Sequence, residues 1–291
     1  MTPPQTMDLA GQLHALYREP SKHHAYQNVP DFVSDALGYR ETIDDRWRGD
    51  HCRLNYLLSV MPVAQWQSLT DIGANTGFFT LSLAHRFPEL QVTACEPDRT
   101  HAKFIRTIAN TFGMRNVEVM PKGVTLRSLS GFQRKDAVLL LNVLHHVGYD
   151  FDATLPRTRD AFDMHARQYL GALAAKRTHL FFQMGSNWGG DKNNPLVPRD
   201  AHADKLRYMA GLLLDGGWRI QHVAYPTRVD GVVTYIDLPR AIVTALNDHP
   251  LAVGDHALLG ALAPYDLDQF PGEFYKRPLF ACESALTTAA P

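Results

Sequence analysis

Cysteine is nearly missing from this chain of 291 residues: Cys52, Cys95 and Cys282 are its three, odd in number and far apart. They can form neither a disulfide framework nor a CxxC metal knuckle, which fits a reducing, cytoplasmic setting. Net charge is almost absent too, at −1, so no overall field draws the chain to nucleic acid or to an anionic membrane. No apolar run approaches the length of a membrane span. The start, Met1-Thr-Pro-Pro-Gln, lacks the basic region and apolar run of a secretory signal. The 14 histidines are scattered without an HExxH pattern. There is no repeat, no low-complexity tract and no Gly/Ser-rich linker. What is present, 45% hydrophobic and 20% charged residues, is the composition of an ordinary globular protein, long enough to bury a full core.

The periodicity changes character along the chain. Leu9, Leu13, Leu16 and Tyr17 recur at helical spacing, a second helix is expected from Asp31, and a third from about Asp45 through Leu58, halted by Pro62. Residues 1–65 thus read as a helical cap on the domain that begins near Trp66. From Ser68 onward short apolar runs alternate with helical patterns: strands at about 68–72, 91–95, 117–120, 137–141, 178–183 and 218–225, with helices between. Asp98 is placed to cap one helix start and Gly113 its end. Alternation of this kind means an α/β fold with a doubly wound, mostly parallel sheet covered by helices on both faces. Two endings compete. Asp230-Gly231 suits a hairpin turn with Val232–Ile236 as its second strand. The preferred alternative makes 277–283 the last strand and about 226–274 an insertion before it.

One stretch organises the chemistry: Ser68-Leu-Thr-Asp71-Ile-Gly73-Ala-Asn75-Thr-Gly77-Phe-Phe79. A buried strand runs into a turn whose glycines and asparagine tolerate left-handed φ, then into a helix N-terminus. A dinucleotide turn wants G-x-G-x-x-G, and here Phe78 replaces the packing glycine. No Gly-Lys-Ser/Thr is present, so a nucleoside triphosphate loop is excluded as well. Glu96 ends the second strand, where an acidic side chain accepts bonds from ribose hydroxyls. Asn75 is expected in the left-handed region.

Asp71-Ile-Gly73-Ala-Asn75-Thr-Gly77, then Glu96-Pro97-Asp98, then Leu140-Leu-Asn142-Val-Leu-His145-His146-Val, taken in this order between about Trp66 and Ile220, resemble the class I S-adenosylmethionine-dependent methyltransferases. The resemblance implies a seven-stranded Rossmann-like sheet whose final strand is antiparallel, with residues 66–291 as the S-adenosylmethionine-binding domain. It implies a cofactor loop of Asp71, Gly73, Asn75 and Gly77 with Phe79 and Pro97 beside it, Glu96 on the ribose, and Asn142 near the methionyl end. S-adenosylhomocysteine would be the product. Two departures stand out. Met120-Pro-Lys-Gly123-Val124 has no acid to read the adenine amine, so backbone groups are left for that task. Asn142 is neutral where metal-using relatives carry acidic ligands, so no metal is expected.

Methyl transfer to an alcohol needs its proton removed, a task suited to histidine. His145 and His146 follow the fourth strand at the sheet's ligand-binding edge, and one of them is the expected general base; the alternative is that the pair only shapes the turn. Gln183, Asn187, Trp188, Asp191 and Lys192, after the fifth strand, are the candidate acceptor contacts, with Trp188 stacking on a ring or sugar. Tyr26 joins them from the front segment, where His23, His24 and Gln27 could form a lid. Arg46, Arg48 and Arg53 read as a charged helix face, with recognition of an anionic acceptor as the sharper alternative. The reading preferred throughout is O-methylation of a small molecule or saccharide. The alternatives are N-methylation, tRNA or RNA methylation (against which the near-zero charge weighs), and a non-catalytic cofactor-binding partner subunit.

Overall fold

The computed structural model describes residues 4–19, 25–41, 43–44 and 49–286. Its elements run α1 (Pro4–Arg18), α2 (Asp31–Leu37), α3 (Asp50–Val60), β1 (Ser68–Ile72), α4 (Phe78–Arg86), β2 (Gln91–Cys95), α5 (Arg99–Thr111), β3 (Val117–Met120), α6 (Leu126–Leu129), β4 (Lys135–Leu141), α7 (Arg159–Ala174), β5 (Arg177–Gln183), α8 (His202–Asp215), β6 (Trp218–Val229), β7 (Val232–Asp237), α9 (Arg240–Asp248), α10 (Asp255–Leu262) and β8 (Leu279–Ser284). His23, His24, Arg46 and Arg48 lie outside the described residues.

The strands form one sheet in the order β3-β2-β1-β4-β5-β8-β6-β7. β1 to β5 pair in parallel, and β8 enters antiparallel between β5 and β6. This is the α/β, doubly wound, mostly parallel Rossmann-like architecture expected, with eight strands instead of seven. The difference lies at Asp230-Gly231: both residues have positive φ (50° and 80°). That is what a two-residue hairpin turn matching the strand twist requires. β6 therefore runs on to Val229 and pairs with β7 from Val229↔Val232 to Ala224↔Asp237. The hairpin and the late strand, set against each other in the sequence, both form, and the segment 226–274 begins by extending the sheet.

Alternation along each strand sends side chains to the two faces. Val138, Leu140, Phe182, Phe280 and Cys282 join the core that holds residues of α7, α8, α9 and α10. Ala137, Leu139, Phe181, Leu279 and Ala281 join the core beneath α3 and α4. Leu13 and Tyr17 of α1 and Val33 of α2 pack on Phe104, Ile105 and Ile108 of α5, so the front segment is fastened to the sheet's own helical layer. Asp98 caps α5 by accepting from the Thr100 and His101 N–H groups, and Gly113 follows that helix at φ 63°. Both were legible as caps.

Candidate active site

The order of the strands reverses between β1 and β4, and a cleft opens there at the carboxyl ends of the strands, the place where open α/β sheets bind ligands. It encloses about 650 Å³ of space open to solvent. Ile72 and Gly73 line it after β1, Cys95, Glu96 and Pro97 after β2, Gly123 and Val124 after β3, and Asn142 and Val143 after β4. Tyr26, Asn75, His146, Asp150 and Phe151 complete the wall.

The turn from β1 to α4 is left-handed at three places: Gly73 (φ 73°), Asn75 (φ 49°) and Gly77 (φ 83°). Asn75 thus takes the conformation expected of it. Gly73 is also needed for close approach, since a Cβ there would collide with Val143 Cγ2. The Gly73 N–H donates to the Cys95 carbonyl at 2.8 Å, tying the turn to the end of β2. Asp71 lies behind this turn, buried in the sheet, where it accepts from the Thr80 hydroxyl at 2.7 Å. It fastens α4 to β1 and does not line the cleft; burial pushes its carboxyl up to about 6. Phe79 is packed in the core under α4. From the front segment, Gln27 accepts from the Phe78 N–H at 2.9 Å and so caps α4.

Glu96 does line the cleft. Its two oxygens accept from the Asn75 N–H (2.7 Å) and the Asp98 N–H (2.8 Å). A carboxylate has about four lone-pair sites, so acceptor capacity is left on both oxygens for hydroxyl groups of a ligand. Burial raises the Glu96 carboxyl to about 7, against the pull of the two N–H groups. The folded value stands above the unfolded one of about 4.3. The stability contributed by its protonation is therefore full below that unfolded value and lost as pH rises through about 7. Glu96→Gln removes this titration. Between about pH 4.5 and 7.5 wild type loses stability relative to the variant by on the order of 3 kcal/mol, read from guanidinium unfolding across pH. Equal pH slopes in the two proteins would mean that Glu96 titrates as an ordinary carboxyl.

The two histidines part company. Leu144–His146 form a single 3-10 turn, which aims adjacent side chains about a third of a revolution apart. His145 points inward, 2% exposed, and its Nδ1 accepts from the Gly185 N–H at 3.3 Å. Burial, then its neighbours His146 and Arg277, hold it well below the usual imidazole range. His146 faces the cleft, with Nδ1 3.0 Å from Asp150 Oδ2. A carboxylate only accepts, so the ring proton sits on Nδ1 and the Nε2 lone pair is left as the basic site.

A buried polar chain adjoins the cleft at Asn142. Asn142 (φ 62°) donates through Nδ2 to Gln183 Oε1 at 3.0 Å and accepts at Oδ1 from Arg277 Nη1 at 2.6 Å. Gln183 Oε1 also accepts from Arg53 Nη1 at 3.1 Å, and Arg53 pairs with Asp50 at 2.5 Å. Arg53 is 5% exposed: the charged helix face read from the sequence is, at this residue, a buried ion pair. Trp188 is 2% exposed, packs on Phe162 and donates its indole N–H to the Val147 carbonyl. Its ring is part of the core and is not presented to an acceptor. Asn187 and Lys192 line a neighbouring cleft with Ser186 and Glu273, and Asp191 accepts from the Asn193 N–H within its own loop. Asp150 and Arg277 were missed; the four-residue spacing from His146 to Asp150 was the available signal for the first.

Among the described residues no lysine or arginine lines the cleft at the strand reversal, whereas two carboxyl groups do. That donor set suits a ribose and a cationic sulfonium and is ill-suited to a pyrophosphate. No family model matches the sequence, and no curated protein sequence matches it. By structure, the chain is similar to WbdD, a bifunctional kinase-methyltransferase, at 17% identity and a TM-score of 0.51, over 77% of this chain and 45% of that one. The chain thus spans less than half the length of WbdD. The N-terminal domain of EvdMO1 with SAH bound superposes at 15% identity and a TM-score of 0.47, over 79% of this chain and 94% of that one. For the protein PH1948 from Pyrococcus horikoshii the figures are 11%, 0.45, 96% and 98%. The likeness to WbdD, at this identity, is one of fold alone. Among the described residues no helix is long and apolar enough to cross a membrane.

Proposed function

We propose that the chain transfers a methyl group from S-adenosylmethionine to an oxygen of a small-molecule or saccharide acceptor, with His146 as the general base. One observation carries this reading: the turn at Gly73 and Asn75, Glu96, the Gly123-Val124 backbone and Asn142 share one cleft that has acidic but, among the described residues, no lysine or arginine side chains. In this reading Glu96 holds the ribose hydroxyls, and Gly123 and Val124 offer backbone groups to the adenine between Ile72, Pro97 and Phe151. Gly73, Asn75 and Asn142 meet the methionine part. S-adenosylmethionine supplies an electrophilic methyl group on a sulfonium centre. The protein's own work is to fix the acceptor in line, exclude water and take a proton. His146 Nε2 accepts that proton, and Asp150 holds the tautomer and stabilises the imidazolium as it forms. A nitrogen acceptor with a free lone pair needs no such pair, so the paired His146 and Asp150 favour oxygen. Residues 1–65 serve as a cap over the domain formed by 66–291, and Asn187 and Lys192 meet the outer part of the acceptor.

Calorimetric titration with S-adenosylmethionine and S-adenosylhomocysteine tests the donor. Saturable binding of both supports the reading; no binding of either, alongside binding of a nicotinamide dinucleotide, would overturn it. The reading is also metal-independent: His146 supplies the base that a metal would otherwise replace. Turnover is therefore expected to be unchanged in excess EDTA, and a loss restored by added Mg²⁺ would contradict it.

A further inference from the structure

Arg277, half-buried, stands at the end of the polar chain that adjoins the cleft, and its surroundings are unlike those of the two buried arginines. Arg53 has Asp50 as its counter-charge, and Arg177 spends its guanidinium on the Gln133 and Lys176 carbonyls and the Thr70 hydroxyl. Arg277 donates one hydrogen bond, from Nη1 to Asn142 Oδ1, and makes no ion pair among the described residues. It is not a mobile surface arginine. Its guanidinium lies 4.3 Å from the Phe274 ring centroid, and Phe274 in turn packs on Tyr26 of the cleft wall at 5.7 Å. Its backbone carbonyl accepts from Gln183 Nε2 at 3.2 Å. Burial pulls it down to about 10, with Glu273 opposing, so it stays charged at neutral pH.

The orientation of the amide partners follows from donor counts. Both arginines can only donate, so the oxygen of Gln183 must face Arg53 and the oxygen of Asn142 must face Arg277. The chain Asp50–Arg53–Gln183–Asn142–Arg277 is thereby fixed in one sense and holds Arg277 still behind Asn142, the member of the chain that lines the cleft. Gly185 keeps the space: a Cβ there would lie 2.7 Å from His145 Nε2 and 3.1 Å from Arg277 Nη2. A guanidinium that is held, partly desolvated and without a salt bridge among the described residues (Glu273 acts on it only from a distance), with Nε and Nη2 left to donate, is a fork for a two-oxygen anion.

We propose that Arg277 is the anchor for an oxyanion carried by the methyl acceptor, a carboxylate or a phosphate, seated beside Asn142 at the end of the cleft. The proposal rests on the methyl-transfer reading and narrows its acceptor to an anionic one. Arg277 is a specificity-determining residue in this account: the fork selects the acceptor and sets its distance from the reacting end of the cleft.

The test uses glucuronate, glucose 6-phosphate and glucose as probes, titrated calorimetrically into the full chain with and without saturating S-adenosylhomocysteine. Wild type is expected to bind at least one anionic probe and not glucose. Arg277→Met should weaken that probe by roughly 10- to 100-fold, a larger loss than in S-adenosylhomocysteine affinity, which the change reaches only through Asn142. Arg277→Lys, which keeps the charge and loses the fork, should fall between, and serves if the methionine variant does not fold. Preference for glucuronate marks a carboxylate acceptor, and preference for glucose 6-phosphate a phosphate. Anion binding indifferent to both variants, or no anion binding at all, overturns the proposal. Arg277-dependent anion binding without any S-adenosylhomocysteine binding would leave the anchor standing and remove the methyl-transfer reading instead.

Discussion

His146→Asn is expected to lower methyl transfer by roughly 10²–10⁴-fold, the range lost when a positioned general base is removed, with S-adenosylhomocysteine affinity retained. The measurement is turnover of labelled S-adenosylmethionine with an acceptor, beside calorimetry on the same preparation. Asparagine cannot take the acceptor proton near neutral pH, so the loss falls on kcat. Asp150→Asn should reproduce part of it for a different reason. An amide turned to donate to Nδ1 drives the ring proton onto Nε2 and removes the basic lone pair. His145→Asn separates the neighbours. His145 is buried and bonded to the Gly185 N–H, so its replacement acts on melting temperature more than on turnover per folded molecule. Full turnover by the His146 variant, or a larger loss at His145 than at His146, would remove His146 as the base.

Arg53→Met is expected to cost about 3–5 kcal/mol of stability, the range for removing one partner of a buried pair, read from guanidinium unfolding at neutral pH. The cost comes from the charge left behind. Asp50, fully buried, keeps the Asn28 N–H and side-chain amide as donors (2.7 and 3.1 Å) and loses its counter-charge. Burial already pushes its carboxyl up, opposed chiefly by Arg53. In the variant the folded carboxyl rises further above its unfolded value. The variant's deficit should therefore shrink as pH falls and Asp50 takes up a proton, and grow as pH rises. The double variant Asp50→Asn with Arg53→Met should recover most of the loss, because no uncompensated charge remains. A single variant as stable as wild type would mean that the pair contributes nothing. Arg53 also donates to Gln183, so the change loosens the amide pair that holds Arg277.

The features that could be read from the sequence are those set by short-range physics. Buried parallel strands are continuous apolar runs, Asp98 and Gly113 punctuate their helix by capping, and Gly73, Asn75 and Gly77 announce a left-handed turn. What escaped was set by contacts between distant residues or by side-chain direction. Which histidine faces the cleft depends on where a 3-10 turn starts. Trp188 sits in a polar loop by sequence, yet its ring fills a hole beside Phe162 that no local pattern reveals. Asp71 belongs to the loop motif, but in a strand residue parity decides the face, and its carboxylate goes to Thr80 behind the turn. Arg277 meets Asn142 across 135 residues, a separation over which a single sequence carries no signal. The hairpin and the late strand looked like rivals because each explained the apolar residues near one end of the domain; the sheet had an edge for both.

The position of β8 has a consequence for how the molecule assembles. It pairs with β5 through Leu180↔Cys282 and with β6 through Ile220↔Cys282, so the strand that joins the two halves of the sheet is the last to be supplied. Contacts this distant close large loops and form late and slowly. Until they form, β5 and β6 each present an unpaired, apolar edge, the kind of surface that recruits other chains. A chain cut before Leu279, which leaves both edges open, is therefore expected to aggregate more readily than it folds.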